Sequence, residues 1–168
     1  GRPFMKKVMT ITGNAIKEPQ NLRVRTGTNF RELIEEAGGF TSEPEKIIAG
    51  GPMMGIPLIS LDVPVVKTSS AILCMTKDEV AACEETACIN CGRCVSVCPG
   101  RIIPAKLADY AKRHDKESFE KANGMECCEC GCCSYICPAK RPLTQYIKSM
   151  RKMVLADRKK VAQRGNGK

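Results

Sequence analysis

Eight of the twelve cysteines in this 168-residue chain fall into a single spacing that is used twice. Cys88, Cys91, Cys94 and Cys98 precede Pro99, and Cys127, Cys130, Cys133 and Cys137 precede Pro138, so that each set reads Cys-x2-Cys-x2-Cys-x3-Cys-Pro. Thiolates at three-residue intervals can wrap an iron–sulfur cube corner by corner, with the intervening amides turned toward its sulfides. The fourth thiolate, four positions on and followed by proline, points away from that cube and ligates the other cluster in two-cluster proteins with this run. The spacing therefore predicts two [4Fe-4S] clusters. One is assigned to Cys88, Cys91, Cys94 and Cys137, the other to Cys127, Cys130, Cys133 and Cys98. Two such clusters side by side serve to move single electrons.

Other thiol chemistry fits less well. Structural zinc sites favour two well-separated Cys-x2-Cys pairs over three closely spaced thiolates and a proline-flanked fourth. A disulfide scaffold needs a secreted setting, and the chain has no charged start followed by an apolar signal core. Cys74, Cys83, Cys128 and Cys132 fall outside the repeat and read as buried small hydrophobes or spectator thiols. Cys128 and Cys132 sit among the ligands, which leaves a shift of register open, but only the choice of 127, 130, 133 and 137 repeats the first run.

The remaining composition agrees. Aromatic residues make up 4% and Trp is absent, thin material for a large core, so the clusters are expected to staple the cysteine-rich half. The length admits one or two small domains. Reduced thiolates point to a cytoplasmic setting, and no run approaches the roughly 18 apolar residues of a membrane span. The chain begins at Gly1 and its first methionine is Met5, as expected of a segment of a longer protein.

Charge is unevenly placed. Residues 140–168 carry Lys140, Arg141, Lys148, Arg151, Lys152, Arg158, Lys159, Lys160, Arg164 and Lys168 against Asp157 alone, which accounts for the whole formal excess of +9. This tail reads either as a solvated helix face with a frayed end or as a contact for anionic lipid or an acidic partner such as ferredoxin. Nucleic acid is disfavoured because no aromatic interleaving or groove-reading motif accompanies the charge. Near the first run, Arg93, Arg101 and Lys106 should raise a cluster's potential by stabilising its reduced state. Glu126 and Glu129 flank the second and should lower it, which puts the Cys127 cluster at the lower potential.

Two regions separate near residue 80. In the first, alternation at 8–12 ending in Gly13-Asn14 predicts a strand, and Leu22 and Val24 before Thr26-Gly27 a second. Asn29 with Glu32 resembles a capping box, and Phe30, Leu33, Ile34 and Ala37 fall on one helical face that Gly38-Gly39 ends. Further strands are expected over 46–49, 63–67 and 71–75. Gly50-Gly51-Pro52-Met53-Met54-Gly55 must be a loop. It either lets a cofactor or partner backbone come close or packs two methionines into the core, and it lacks the order of a dinucleotide fingerprint. The second region reads as helical around its cysteine turns. Pro104 should open one helix, Phe119 to Ala122 continue the linker that Gly124 ends, and Leu143, Tyr146, Ile147, Met150, Met153 and Val154 form an apolar stripe opposite Lys148, Arg151 and Lys152. His114 lies in a polar stretch and is expected to face solvent.

The ordered set Val8-Met9-Thr10-Ile11-Thr12-Gly13, Gly50-Gly51-Pro52-Met53-Met54-Gly55, both cysteine runs and Pro138-Ala139-Lys140-Arg141-Pro142-Leu143-Thr144-Gln145-Tyr146-Ile147 resembles the C-terminal half of the C subunit of the Rnf complex, the ion-translocating ferredoxin:NAD+ oxidoreductase. The resemblance covers nearly all of residues 6–155. It implies an α+β chain, with a β-grasp domain of soluble-ligand-binding type over 1–80 and a mainly α-helical ferredoxin domain holding two [4Fe-4S] clusters over 81–155; past the resemblance, 156–168 read from their charge as a basic, frayed tail. It also implies that the FMN- and NADH-binding portion lies upstream, with no complete active site in this chain. The expected role is that of a peripheral component on the cytoplasmic face of the bacterial membrane, relaying electrons to other subunits of a membrane redox complex. The electron-transfer part of a cobalamin-reductase-like flavoprotein of microcompartments has a similar architecture. A different class, a partner-docking module whose clusters only hold the fold, is the other alternative.

Overall fold

The computed structural model describes residue 1, residues 3–77 and residues 83–165, without the side chains of 164 and 165. The chain forms two compact units, Gly1–Ala82 and Cys83–Lys168.

In the first unit, strands β1 (Lys6–Thr12), β2 (Gln20–Arg25), β3 (Lys46–Ala49), β4 (Ile56–Leu58) and β5 (Ala71–Met75) form one sheet in the order β2-β1-β5-β3-β4. β1 runs antiparallel to β2 and parallel to β5, while β3 lies antiparallel to both β5 and β4. The period-2 pattern of β1 is obeyed: Met9 and Ile11 are buried and Val8 is exposed. Helix α1 (Phe30–Glu36) adds Phe30, Leu33 and Ile34 to a core with Met9, Ile11, Ile72 and Cys74. The Asn29 side chain caps it, accepting from the Arg31 amide at 2.9 Å, one residue earlier than capping-box geometry would have it. Gly13 ends β1 at φ +121°, where a Cβ would stand 1.9 Å from the Cys74 carbonyl oxygen. No side chain fits there.

One expectation for this unit needs correction. Residues 63–67 are not a strand: they contact the 27–30 segment through an isolated bridge between Asn29 and Pro64, and Pro64 has no N–H with which to extend a ladder. Val65 is nevertheless buried. The sheet instead gains β4, whose three residues include Pro57 and whose edge position tolerates it. Met53 and Met54 are exposed, so the glycine-rich loop does not place them in the core.

The second unit is helical: α2 (Arg93–Ser96), α3 (Pro104–Lys112), α4 (Lys116–Lys121), a 3₁₀ turn at Gly124–Glu126, α5 (Cys132–Ile136) and α6 (Leu143–Gly165). Pro104 sits in the first turn of α3, where its missing N–H costs no helical bond. Leu107 and Ala111 of α3, Phe119 of α4 and Ile147, Met150 and Val154 of α6 share one core. Gly124 is buried against the Phe119 ring, and His114 is exposed. The tail does not begin at 156, because α6 continues without a break through Gly165; residues 166–168 lie outside the described residues. Nor is its polar face all solvated. Arg151 and Lys148 pair with Glu129, and Arg141 is 5% exposed. Among the described residues no helix is long and apolar enough to cross a membrane.

Candidate metal centres

The two cysteine runs follow one backbone course twice, at positions 39 apart, the separation of Cys127 from Cys88. Asn90 and Glu129 have φ of 54° and 56°, Gly92 and Gly131 of 73° and 84°, Arg101 and Lys140 of 50° and 52°. The turns are bonded alike. Cys98 N donates to Val95 O at 3.1 Å and Cys137 N to Ser134 O at 3.3 Å, while Arg101 N donates to Cys98 O at 3.1 Å and Lys140 N to Cys137 O at 3.2 Å. Gly92 and Gly131 each lead into a short helix, α2 or α5, that carries the third cysteine of its run. A left-handed φ costs a residue with a side chain roughly 1 kcal/mol or more. Its recurrence at Glu129, Arg101 and Lys140 means that the surrounding turn imposes it.

These turns gather the eight thiols around two cavities. Cys88, Cys91, Cys94 and Cys137 line one of about 680 Å³, counting the solvent at its mouth. Cys98, Cys127, Cys130 and Cys133 line the other, of about 340 Å³. The last cysteine of each run thus stands in the cavity of the other run. Cys128 also lines the second cavity; Cys132 is half-buried, Cys83 exposed and Cys74 buried in the sheet unit. Among the described residues, no three Cys, His, Asp or Glu side chains converge as the ligands of a single ion would. The eight thiols are spread over the walls of the two cavities.

The cavities differ in exposure. Cys88 and Cys91 are exposed, whereas Cys133 is buried and its three companions half-buried. Exposed Ile89, Val95 and Ile103 rim the first cavity together with Arg93. In the second, burial pushes the Cys127 and Cys133 thiols up. The Glu129 amide, 3.4 Å from Cys127 Sγ, and the Thr144 hydroxyl, 3.4 Å from Cys133 Sγ, work the other way by favouring thiolate. Glu129 does not lend this site the bare negative charge that its place in the sequence suggests. Its carboxylate is matched by Arg151 and, at 3.6 Å, by Lys148.

Sequence reasoning also misses Arg141, grouped above with the basic tail. It lines the first cavity, held by Asp109 at 2.6 Å and Glu85 at 3.4 Å. Glu85 in turn accepts from Lys112 at 2.5 Å and from the Tyr146 hydroxyl at 2.9 Å. The Lys112 hydrogen bond, with smaller contributions from Tyr146 and Arg141, holds the Glu85 carboxyl below its usual range. Partners 32 and 56 positions away leave no local pattern by which Arg141 could have been found.

Residues 8–57 match the family model of the SLBB domain, and residues 84–103 that of the 4Fe-4S binding domain. Such a pairing defines an iron–sulfur protein of electron transport. Over 160 residues, 95% of this chain, it is 46% identical to the C subunit of the Na(+)-translocating ferredoxin:NAD(+) oxidoreductase complex of Acetobacterium woodii, covering 36% of that protein. It is 47% identical to the proton-translocating counterpart of Clostridium ljungdahlii over 90% of this chain and 33% of that one. Identity to the C subunit of the ion-translocating oxidoreductase complex of Rhodobacter capsulatus is 44%, over 86% and 28%. The chain belongs to this family, the C subunits of Rnf complexes. It spans about a third of the length of these curated relatives.

Proposed function

We propose that this chain is an electron-relay module with two [4Fe-4S] clusters, one held by Cys88, Cys91, Cys94 and Cys137 and the other by Cys127, Cys130, Cys133 and Cys98. The observation that carries the reading is the backbone course repeated 39 positions apart, which supports reading the second run as a site of the same kind as the matched iron–sulfur segment of 84–103. Bound there, each cluster would supply a one-electron couple. The four thiolates would anchor it, and the more enclosed walls of the second cavity, where the Glu129 amide reaches Cys127 Sγ, would limit water there. The more open cavity, with its apolar rim of Ile89, Val95 and Ile103 and the cation Arg93, is the side on which a redox partner is met. The sheet order β2-β1-β5-β3-β4, with β1 and β5 parallel at its centre, supports a β-grasp reading of the first unit.

As part of a ferredoxin:NAD+ oxidoreductase complex, the module would pass electrons between a nucleotide site, with its FMN and NADH, in a portion of the polypeptide outside this chain and the membrane subunits. It would sit peripherally on the cytoplasmic face, with the basic surface of α6 toward anionic lipid or an acidic protein. The test is iron and acid-labile sulfide per chain on anaerobically purified protein, followed by EPR after dithionite reduction. About eight of each and a spin-coupled spectrum are expected. Zinc, or about four irons with a single isolated spin, would overturn the two-cluster assignment.

A further inference from the structure

Arg141 combines three properties. Its side chain is 5% exposed, it forms part of the wall of the cavity lined by Cys88, Cys91, Cys94 and Cys137, and one of its three nitrogens is uncommitted. Nη2 donates to Asp109 Oδ1 at 2.6 Å and Nε to Glu85 Oε1 at 3.4 Å. Nη1 is buried and has no partner among the described residues. A buried guanidinium N–H without an acceptor costs about 1–3 kcal/mol or more, so its persistence calls for an acceptor that these contacts do not supply. Cys88 lines the same cavity as Arg141.

We propose that Arg141 is a potential-setting residue of the first site, its Nη1 donating a charge-assisted hydrogen bond to the Cys88 thiolate or an adjoining sulfide of the bound cluster. The inference rests on the two-cluster reading above. The second cavity shows no counterpart in its wall among the described residues: Arg151 Nε is also buried without a partner, but Arg151 does not line that cavity, and its Nη1 and Nη2 donate to Glu129 and to the Met125 carbonyl. Reduction adds one electron to a cluster that is already anionic. A fixed positive donor stabilises that extra charge, and hydrogen bonds to the sulfurs are among the levers that set such potentials. Glu85 and Asp109 hold the fork in place and partly offset its charge, so removing either should have the opposite effect to removing Arg141.

The experiment is a redox titration of the cluster-loaded chain with dithionite, followed by EPR, on the wild type, Arg141→Gln and Asp109→Asn, with iron counted in each. In Arg141→Gln the reduction equilibrium of one cluster should fall about tenfold, about 59 mV for a one-electron couple, while the other cluster is unmoved. In Asp109→Asn the same cluster should shift upward. If Arg141→Gln does not retain its iron, Asp109→Asn decides by its sign. Unchanged midpoints in variants holding eight irons, or a downward shift in Asp109→Asn, would overturn the role of Arg141. Four irons in the wild-type chain would overturn instead the two-cluster reading beneath it.

Discussion

Ser134 and Thr144 are bonded to each other twice: the Ser134 hydroxyl oxygen accepts from the Thr144 amide at 2.9 Å and donates to the Thr144 hydroxyl oxygen at 2.9 Å. Ser134 lies on α5 and Thr144 in the first turn of α6, so the pair ties the helix of the second cysteine run to the longest helix of its unit. Because the Thr144 oxygen accepts from Ser134, its own proton is free for the Cys133 sulfur at 3.4 Å. Thr144→Val should lower stability by about 1–2 kcal/mol and speed iron release from one cluster. Chelator-trapping kinetics would show this as a single faster phase, and release rates equal to wild type would refute it.

Glu129 illustrates how a neighbour overrides a charge read from sequence. Paired with Arg151 and Lys148, it contributes little net field at the second cavity. Arg151→Met would leave it matched only by Lys148, at 3.6 Å, in the turn that carries Cys127. The midpoint of that cluster should then drop by about 60 mV, a tenfold change in a one-electron equilibrium. Glu129→Gln in the same background should restore it, and no recovery would mean that Arg151 acts by some other route.

Gly124 offers a packing test. A Cβ there would lie 2.4 Å from the Phe119 ring, and Phe119 is fully buried. Overpacking of this kind costs about 1–3 kcal/mol. Gly124→Ala should lower the unfolding free energy of the second unit by that amount, read as a lower urea midpoint, whereas Gly124→Ala with Phe119→Leu should recover part of it.

Cys74 gives the first unit a pH dependence. Burial pushes its thiol up to about 11 from an ordinary 9.0. The unfolded chain therefore loses this proton first as pH rises. Stability from the buried thiol is fully present below about 9 and lost between about 9 and 11, on the order of 2 kcal/mol at the upper end. Under reducing conditions, wild type should weaken more than Cys74→Ala between pH 8 and pH 10.5. Equal losses would mean that the thiol is already ionised in the fold. At pH 8 Cys74 should also resist alkylation until the chain is unfolded.

Removing iron should act on one unit. The short helices α2 and α5 are built around cavity walls, and the core cluster of Ala108, Cys133 and Leu143 is small. After cluster extraction, amide exchange should accelerate across α2 and α5 while β1 and β5 stay protected. Protection unchanged throughout would show that the cysteine turns are held by protein contacts alone.

The extent to which the sequence disclosed this molecule follows the range of the interactions involved. β1, α1 and the apolar stripe of α6 repeat with the period of their own backbone, and Met9, Phe30 and Ile147 fall on the buried faces that period predicts. The cysteine spacing likewise points to the two cavities, because a single turn fixes where each thiol lies. Local patterns failed where a distant partner or a missing donor decided the outcome. Residues 63–67 alternate like a strand, but Pro64 cannot extend a ladder. Arg141 reads as one more basic residue until Asp109 and Glu85 fold against it. Met53 and Met54 are apolar in type, yet they ride on a loop that turns them outward.

The exchange of last cysteines between the cavities also constrains the order of events during synthesis. Cys137 completes the wall begun by Cys88, and Cys98 waits for Cys127, Cys130 and Cys133. Neither set of four exists on a nascent chain until the third and fourth cysteines of the second run have left the ribosome. On the proposed ligation, iron delivered earlier would meet only partial ligand sets, so cluster insertion into this unit would be a late step, completed for both sites as Cys133 and Cys137 emerge around α5.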